Sequence, residues 1–342
     1  MARLSCSCFV SALLVVLASM LSACGDDKSA PAKETIPAKT TEQLTPLTFI
    51  EKYEKEAMDG DAVAQYNLGG WYYYGDGVRQ DFVKAVAWWR KAAENDVLDA
   101  MYNLGQCYFE GEGVAQDYAQ ALAWWRKAAK ESAYLEDRGE SVFNEYGYSK
   151  AQWRLGLCYF DGKGVKQDYT QAVKWFRAAV EEDFFRIGGT SSEAQFYLGI
   201  CYADGLGVTK DLVQSASWYR MAAEKGLDLA QHRTGLCYSE GKGVAKDDVQ
   251  AAVWFRKAAE QGYSDSQFAL GICYGYGRGV LKDSVESYAY VSLAGVTSEG
   301  ARAYLSSFEK KLSRDEVVAG QKRSKELQKE IEAKMAAKKA SK

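Results

Sequence analysis

The chain has 342 residues, 47% of them hydrophobic and 26% charged, with a formal net charge of −3. Basic residues are interspersed among acidic ones, which argues against a nucleic-acid surface. A single histidine removes His-based dyads, triads and multi-histidine metal sites.

The N-terminus reads as a processing segment. Arg3 precedes an apolar run from Phe9 to Leu21 that is too short to span a bilayer as a helix. The run ends in Leu21-Ser22-Ala23-Cys24, which resembles the lipobox of bacterial lipoproteins. The resemblance implies that residues 1–23 are removed and that Cys24 becomes the lipid-modified N-terminus. An ordinary signal peptide cut nearby, or a short uncleaved anchor, are the alternatives. Removing 1–23 takes away only Arg3, so the net charge moves from −3 to −4. Residues 24–46 form the expected flexible tether, and all three prolines (Pro31, Pro37, Pro46) fall in it. A proline-free body suits uninterrupted helices.

From residue 47 to 297 the chain repeats itself six times, aligned on Leu68-Gly69, Leu104-Gly105, Leu155-Gly156, Leu198-Gly199, Thr234-Gly235 and Leu270-Gly271. Spacings such as 68 to 104 and 198 to 234 equal 36 residues, within the range that signals solenoids. A small residue stands four positions before each pair (Ala64, Ala100, Ala151, Ala194, Ala230, Ser266). A tyrosine follows, then Gly-x-Gly-Val, an Asp and a second aromatic (Trp88, Trp124, Trp175, Trp218, Trp254, Tyr290).

In the second copy, a first helix over about 99–110 should stop at Gly111, because glycine tolerates a left-handed backbone. Asp117 should cap the second helix, with Gln120 three residues on as a variant capping box. That helix is expected to pack through Ala121, Trp124 and Ala128. The Gly-x-Gly-Val element follows no strand and recurs six times, so it reads as a turn and not a phosphate loop.

Five cysteines (Cys107, Cys158, Cys201, Cys237, Cys273) share one slot, three residues past the aligning Leu or Thr. Equivalent slots in stacked hairpins lie about 10 Å apart, beyond the roughly 7 Å Cα limit of a disulfide. They read as small buried hydrophobes, and convergent zinc ligation is disfavoured for the same reason.

These hairpins resemble the Sel-one-like repeat family, relatives of tetratricopeptide repeats, over residues 62–297. The resemblance implies an all-α, right-handed solenoid of antiparallel helix pairs that holds proteins in a concave groove. It implies no catalysis and no cofactor. Family members with disulfide-clipped repeats carry a second cysteine per unit, and this chain has one.

On a wheel of about 100° per residue, offsets 0, 4, 7 and 8 from the small residue form a buried face of the first helix. Offsets 2 and 9 are largely aromatic and should also be buried. The sector left for solvent lies at offsets 3 and 10. Offset 3 carries Asn67, Asn103, Arg154, Tyr197, Arg233 and Ala269, and offset 10 carries Tyr74, Glu110, Asp161, Asp204, Glu240 and Tyr276. This sector varies while its surroundings repeat, so Asn67, Asn103, Arg154, Tyr197 and Arg233 are the candidate partner-binding residues. Two insertions, around 132–147 and 183–192, add Tyr134, Phe143, Tyr146, Phe184 and Phe185 as further candidates; packing back onto the flanking helices is the alternative. His232 sits in an aromatic slot and reads as a packing residue. The pairs Arg90-Lys91, Arg126-Lys127 and Arg256-Lys257 read as a solvated face of the second helix.

Residues 298–342 should close the stack. Ser313-Arg-Asp-Glu316 spells a capping box opening a helix to about Met335, with Val317, Val318, Leu327 and Ile331 covering the last repeat. The Lys-rich end is expected to fray. The expected function is that of a monomeric, lipid-anchored protein-binding scaffold in the bacterial envelope. It would face the periplasm, with the outer membrane favoured over the inner, and serve as an adaptor or an immunity-type inhibitor. Rival readings are an enzyme acting on cell-wall or β-lactam-like substrates, prompted only by distant family members, and a glycan binder.

Overall fold

The computed structural model describes residues 46–137, 146–183 and 191–340, and among them there are fifteen helices and no strand. The first is α1 (Pro46–Met58). Six hairpins follow: α2 (Ala62–Tyr74) with α3 (Phe82–Glu94), α4 (Leu98–Glu110) with α5 (Tyr118–Asp137), α6 (Tyr146–Asp161) with α7 (Tyr169–Asp183), α8 (Ser191–Asp204) with α9 (Leu212–Glu224), α10 (Asp228–Glu240) with α11 (Asp248–Ala259), and α12 (Ser264–Tyr276) with α13 (Ser284–Ala294). Then come α14 (Glu299–Glu309) and α15 (Arg314–Ala340). Each second helix packs on its own first helix and on the first helix of the next repeat. Helices α4 and α6 also touch directly, which puts the first helices on the inner side of the stack.

The local signals act as expected. Gly75, Gly111, Gly241 and Gly277 end their helices at φ between 67° and 79°, with each N–H donating to a carbonyl four residues back. The cap aspartates accept from backbone N–H groups, as Asp117 does from Ala119 and Gln120 at 2.9 and 3.0 Å. The reciprocal arm of a capping box is not made in the repeats. The N–H of each cap Asp is already given to the tyrosine carbonyl of the preceding helix, as from Asp117 to Tyr108 at 2.8 Å. Gln214 accordingly turns its amide onto the Asp211 carboxylate at 3.0 Å.

The Leu-Gly glycine has a packing reason that the sequence did not disclose. A Cβ at Gly105 would run into the Trp125 ring, and one at Gly156 into Phe176; the same holds for Gly69 with Trp89, Gly199 with Tyr219 and Gly235 with Phe255. The expected packing aromatic was one residue too early. Trp125 is fully buried while Trp124 is half-buried, and the same order holds for Trp89 over Trp88 and Phe176 over Trp175. Only in the last two repeats, at Trp254 and Tyr290, is the earlier aromatic itself buried. The Trp125 indole N–H also donates to the Tyr102 carbonyl at 3.1 Å, pinning the second helix to the first.

Three rows tie one repeat to the next. Gln65, Gln231 and Gln267 donate to the end of the preceding second helix, at the carbonyls of Ala57, Ala223 and Ala259. Arginines of the second helices donate to the tyrosine hydroxyl of the following repeat: Arg90 to Tyr108 at 2.9 Å, Arg126 to Tyr159 at 3.0 Å, Arg177 to Tyr202, and Arg256 to Tyr274 at 2.9 Å. These arginines are therefore joints between repeats, which corrects the reading of Arg90, Arg126 and Arg256 as a purely solvated face. The neighbouring Lys91 and Lys257 lie over the rings of Trp88 and Trp254 at 4.3 and 3.9 Å. Third, the second glycine of each turn abuts the start of the preceding second helix, so that a Cβ at Gly279 would overlap the Asp248 carbonyl.

Helix α1 takes the place of a second helix ahead of the first repeat. Its Ala57 takes the Gln65 bond, and its Glu54 occupies the joint, accepting from the Tyr72 hydroxyl at 2.8 Å. Pro46, assigned to the tether from the sequence, opens this helix, where a missing N–H costs nothing.

The five repeat cysteines are buried and free, as their spacing implied. Burial pushes their thiols up, to about 12 at Cys107, Cys158 and Cys201 and about 11 at Cys237 and Cys273.

At the C-terminal end the capping box forms in both directions: the Glu316 N–H donates to the Ser313 hydroxyl at 3.2 Å, and the Ser313 N–H to the Glu316 carboxylate at 2.8 Å. Leu327 and Ile331 are buried as expected, whereas Val318 is exposed. The Lys-rich end does not fray where expected. Helix α15 continues to Ala340, with Lys334 on Glu260 at 2.8 Å and Lys338 on Gln261 at 2.5 Å.

Candidate functional site

The inner strip of first helices is where the candidate residues converge. Its outermost row is the one expected at offset 10. Tyr74, Glu110, Asp204, Glu240 and Tyr276 are exposed, and Asp161 is half-buried beside Lys163 at 4.0 Å. Desolvation raises the Asp161 carboxyl pKa, and Lys163 opposes the shift.

The offset-3 row is less open than expected. Asn67, Asn103 and Arg233 are half-buried, while Arg154 and Tyr197 are buried, at 6% and 4% exposure. The reason is the aromatic rings beside them. Arg154 lays its guanidinium over the Trp153 ring at 4.8 Å. Tyr197 stacks on Phe176 at 5.3 Å and meets Phe160 edge-on. These two residues thus build the strip more than they face outward.

A further row at offset 6, Leu157, Leu236 and Ile272, is half-buried, with Ile200 at the same place 8% exposed. The sequence reading missed it, although four aliphatics in one register were visible. The strip thus has a partly covered aliphatic line with carboxylates on one side. Of the remaining candidates, Tyr134 lies in α5 and Tyr146 opens α6. Cys24, Phe143, Phe184 and Phe185 fall outside the described residues.

His232 packs as its slot implied. Its ring lies 5.2 Å from Tyr263 and 5.6 Å from Phe255, with Nδ1 2.8 Å from the Ser266 hydroxyl. Desolvation holds its pKa down to about 4. The unfolded chain, with an ordinary histidine near 6.5, binds a proton between those values that the folded chain refuses. Stability should therefore be intact above pH 6.5 and fall as pH drops toward 4, by on the order of 2–3 kcal/mol from this residue. In urea melts at pH 7 and pH 4.5, His232→Phe should lose less stability between the two than the wild type. Equal losses would show that the imidazole titrates normally.

Among the described residues no cluster of His, Cys, Asp and Glu converges as a metal site, and no helix is long and apolar enough to cross a membrane.

The Sel1 repeat model matches residues 62–97, 98–132, 149–184, 192–227, 228–263 and 264–295. Among solved structures, the chain is similar to a Sel1 repeat protein from Oxalobacter formigenes, with a TM-score of 0.57 at 27% identity, covering 73% of this chain and 96% of that one. It is also similar to c5321, a protective antigen of uropathogenic Escherichia coli strains with an SLR fold, at 29% identity and a TM-score of 0.33, covering 86% and 82%. A third is the immunity protein Pa5087 from Pseudomonas aeruginosa, at 18% identity and a TM-score of 0.36, covering 75% and 83%. Comparison with curated protein sequences gives no match. Six in-register matches that account for every hairpin make the chain a member of the Sel1 repeat family, whose solenoids are protein-binding scaffolds.

Proposed function

We propose that the chain is a lipid-anchored scaffold of the bacterial envelope that binds another protein along its inner strip, as an adaptor or as an immunity-type inhibitor. One observation carries the reading. The frame of each hairpin repeats from copy to copy, while the strip between α2 and α12 changes chemistry, with carboxylates, amides and a line of half-covered aliphatics. A scaffold that needed only to fold would have no use for that variation. Cys24 supplies the anchor, residues 24–46 the reach, and the insertions favour the inhibitor among the two roles. No chemistry is required of the chain.

The test is crosslinking in cells followed by capture of the native protein and mass spectrometry, beside an Asn103→Arg/Arg233→Ala variant. One dominant partner that the variant loses at least tenfold is the expected result. A partner held equally by the variant would move binding off the inner strip. Cys24→Ala should shift the protein from the membrane pellet to the soluble fraction, and a variant that stays in the pellet would remove the anchor from the reading.

A further inference from the structure

The outer face carries a second surface that the inner-strip reading does not use. Helix α15 seats against α11 and α13, above the Arg256–Tyr274 joint. Leu327 and Ile331 bury into the cluster that holds Phe255 and Tyr290. At one end Arg323 pairs with Glu286 at 2.7 Å, and at the other Lys334 pairs with Glu260 at 2.8 Å. A cavity of about 330 Å³ remains between the helix and its seat. The molecule thus contains its own example of a helix bound in the groove between consecutive second helices.

The groove between α3 and α5 shares the joint, the acid and the aromatic, with no helix described lying in it. Where the last groove has Leu293 it has Lys127, which reaches the Ala93 carbonyl at 3.4 Å and Asp96 at 3.5 Å. Arg90 donates to Tyr108 at 2.9 Å as Arg256 does to Tyr274. Glu94 holds the position equivalent to Glu260 and is exposed, and Trp124, half-buried, takes the place of Tyr290, which α15 leaves only 5% exposed. Of the other grooves, α1–α3 has Glu54 in place of the joint arginine, α5–α7 has Lys130 in place of the acid, and at α9–α11 Arg220 lies against Glu224 at 3.7 Å. The α7–α9 groove keeps Arg177, Glu181 and Trp218 but borders residues outside those described.

We propose that the α3–α5 groove binds one amphipathic helix of a partner protein, recognising a Leu-x-x-x-Ile pair over Trp124 and a lysine three residues on that meets Glu94. The position that Glu286 fills at the last groove is Gln120 at the α3–α5 groove. The bound helix therefore carries an uncharged polar residue where α15 has Arg323, and that difference separates a partner's helix from α15 of a second copy. The surface lies on the opposite side of the repeats from the inner strip, so the two stand or fall separately.

The probe is a fluorescein-labelled synthetic peptide of residues 314–340 carrying Arg323→Gln, titrated with the intact chain and read by anisotropy. Saturable binding is expected, weakened at least tenfold by Glu94→Lys, unchanged by Glu260→Lys, and restored when Lys334→Glu in the peptide meets Glu94→Lys in the protein. No saturable binding, or binding indifferent to Glu94→Lys, would overturn the proposal. Loss with Glu260→Lys alone would also overturn it, since the peptide would then only be displacing α15. Tighter binding of the unaltered 314–340 peptide at Glu94 would assign the groove to a second copy of the chain and overturn the partner assignment.

Discussion

Trp125→Ala should lower the stability of the stack by about 3–5 kcal/mol, against roughly 1 kcal/mol for Trp124→Ala, although the two residues are neighbours in sequence. Trp125 is fully buried against Gly105, and its loss removes the indole from the hairpin core and abolishes the bond to the Tyr102 carbonyl. Trp124 is half-buried, and alanine there lets water take over a surface it already wets. Urea unfolding followed by circular dichroism measures the difference. Because each repeat of a solenoid contacts only its neighbours, the damage should also be local. Hydrogen exchange should accelerate in α4 and α5 while α12 and α13 keep their protection. Equal losses for the two alanines would mean that the indole facing Gly105 had been misassigned.

Gly279→Ala should be the more damaging of two replacements that look alike in sequence. Gly277 and Gly279 sit at φ of 67° and 68°, so alanine at either position should cost about 1 kcal/mol of left-handed strain. At Gly277 the added Cβ would rest 3.4 Å from Lys282 Cβ, an ordinary contact. At Gly279 it would drive into the Asp248 carbonyl, which is backbone and cannot swing aside. Overpacking adds about 1–3 kcal/mol, so Gly279→Ala should cost about 2–4 kcal/mol in all, on the order of 10 °C in Tm. The same overlap lies at the seam between repeats, so Gly279→Ala should also loosen α11 from α12. Matching melting temperatures for the two variants would show that the seam has room to spare.

What the sequence disclosed and what it withheld divide along the range of the interactions. Turn glycines, cap aspartates and the Ser313–Glu316 box act within a few residues, and each was legible where it stands. The choice between Trp124 and Trp125 was not, because adjacent helical residues point about 100° apart and only the facing helix decides which is inside. The Arg–Tyr joints span 18, 25 or 33 residues depending on the insertions, so no fixed spacing advertises them. The seat of α15 joins residues 74 apart, as Lys334 and Glu260 are, and is a tertiary fact. At the inner strip, the register of the exposed row was readable from the wheel. The burial of Arg154 and Tyr197 was not, since it comes from aromatic neighbours on the same and preceding elements.

The tyrosine at each joint has a consequence for how such a chain changes over generations. A phenolic hydroxyl both gives and receives a hydrogen bond. At the leading joint Tyr72 gives to Glu54, and at later ones Tyr108 and Tyr274 receive from arginine. One residue thus mates with either polarity of terminus. Whole hairpins can be duplicated or excised without redrawing the surfaces on either side of the cut. Length becomes a trait on which selection can act independently of the fold.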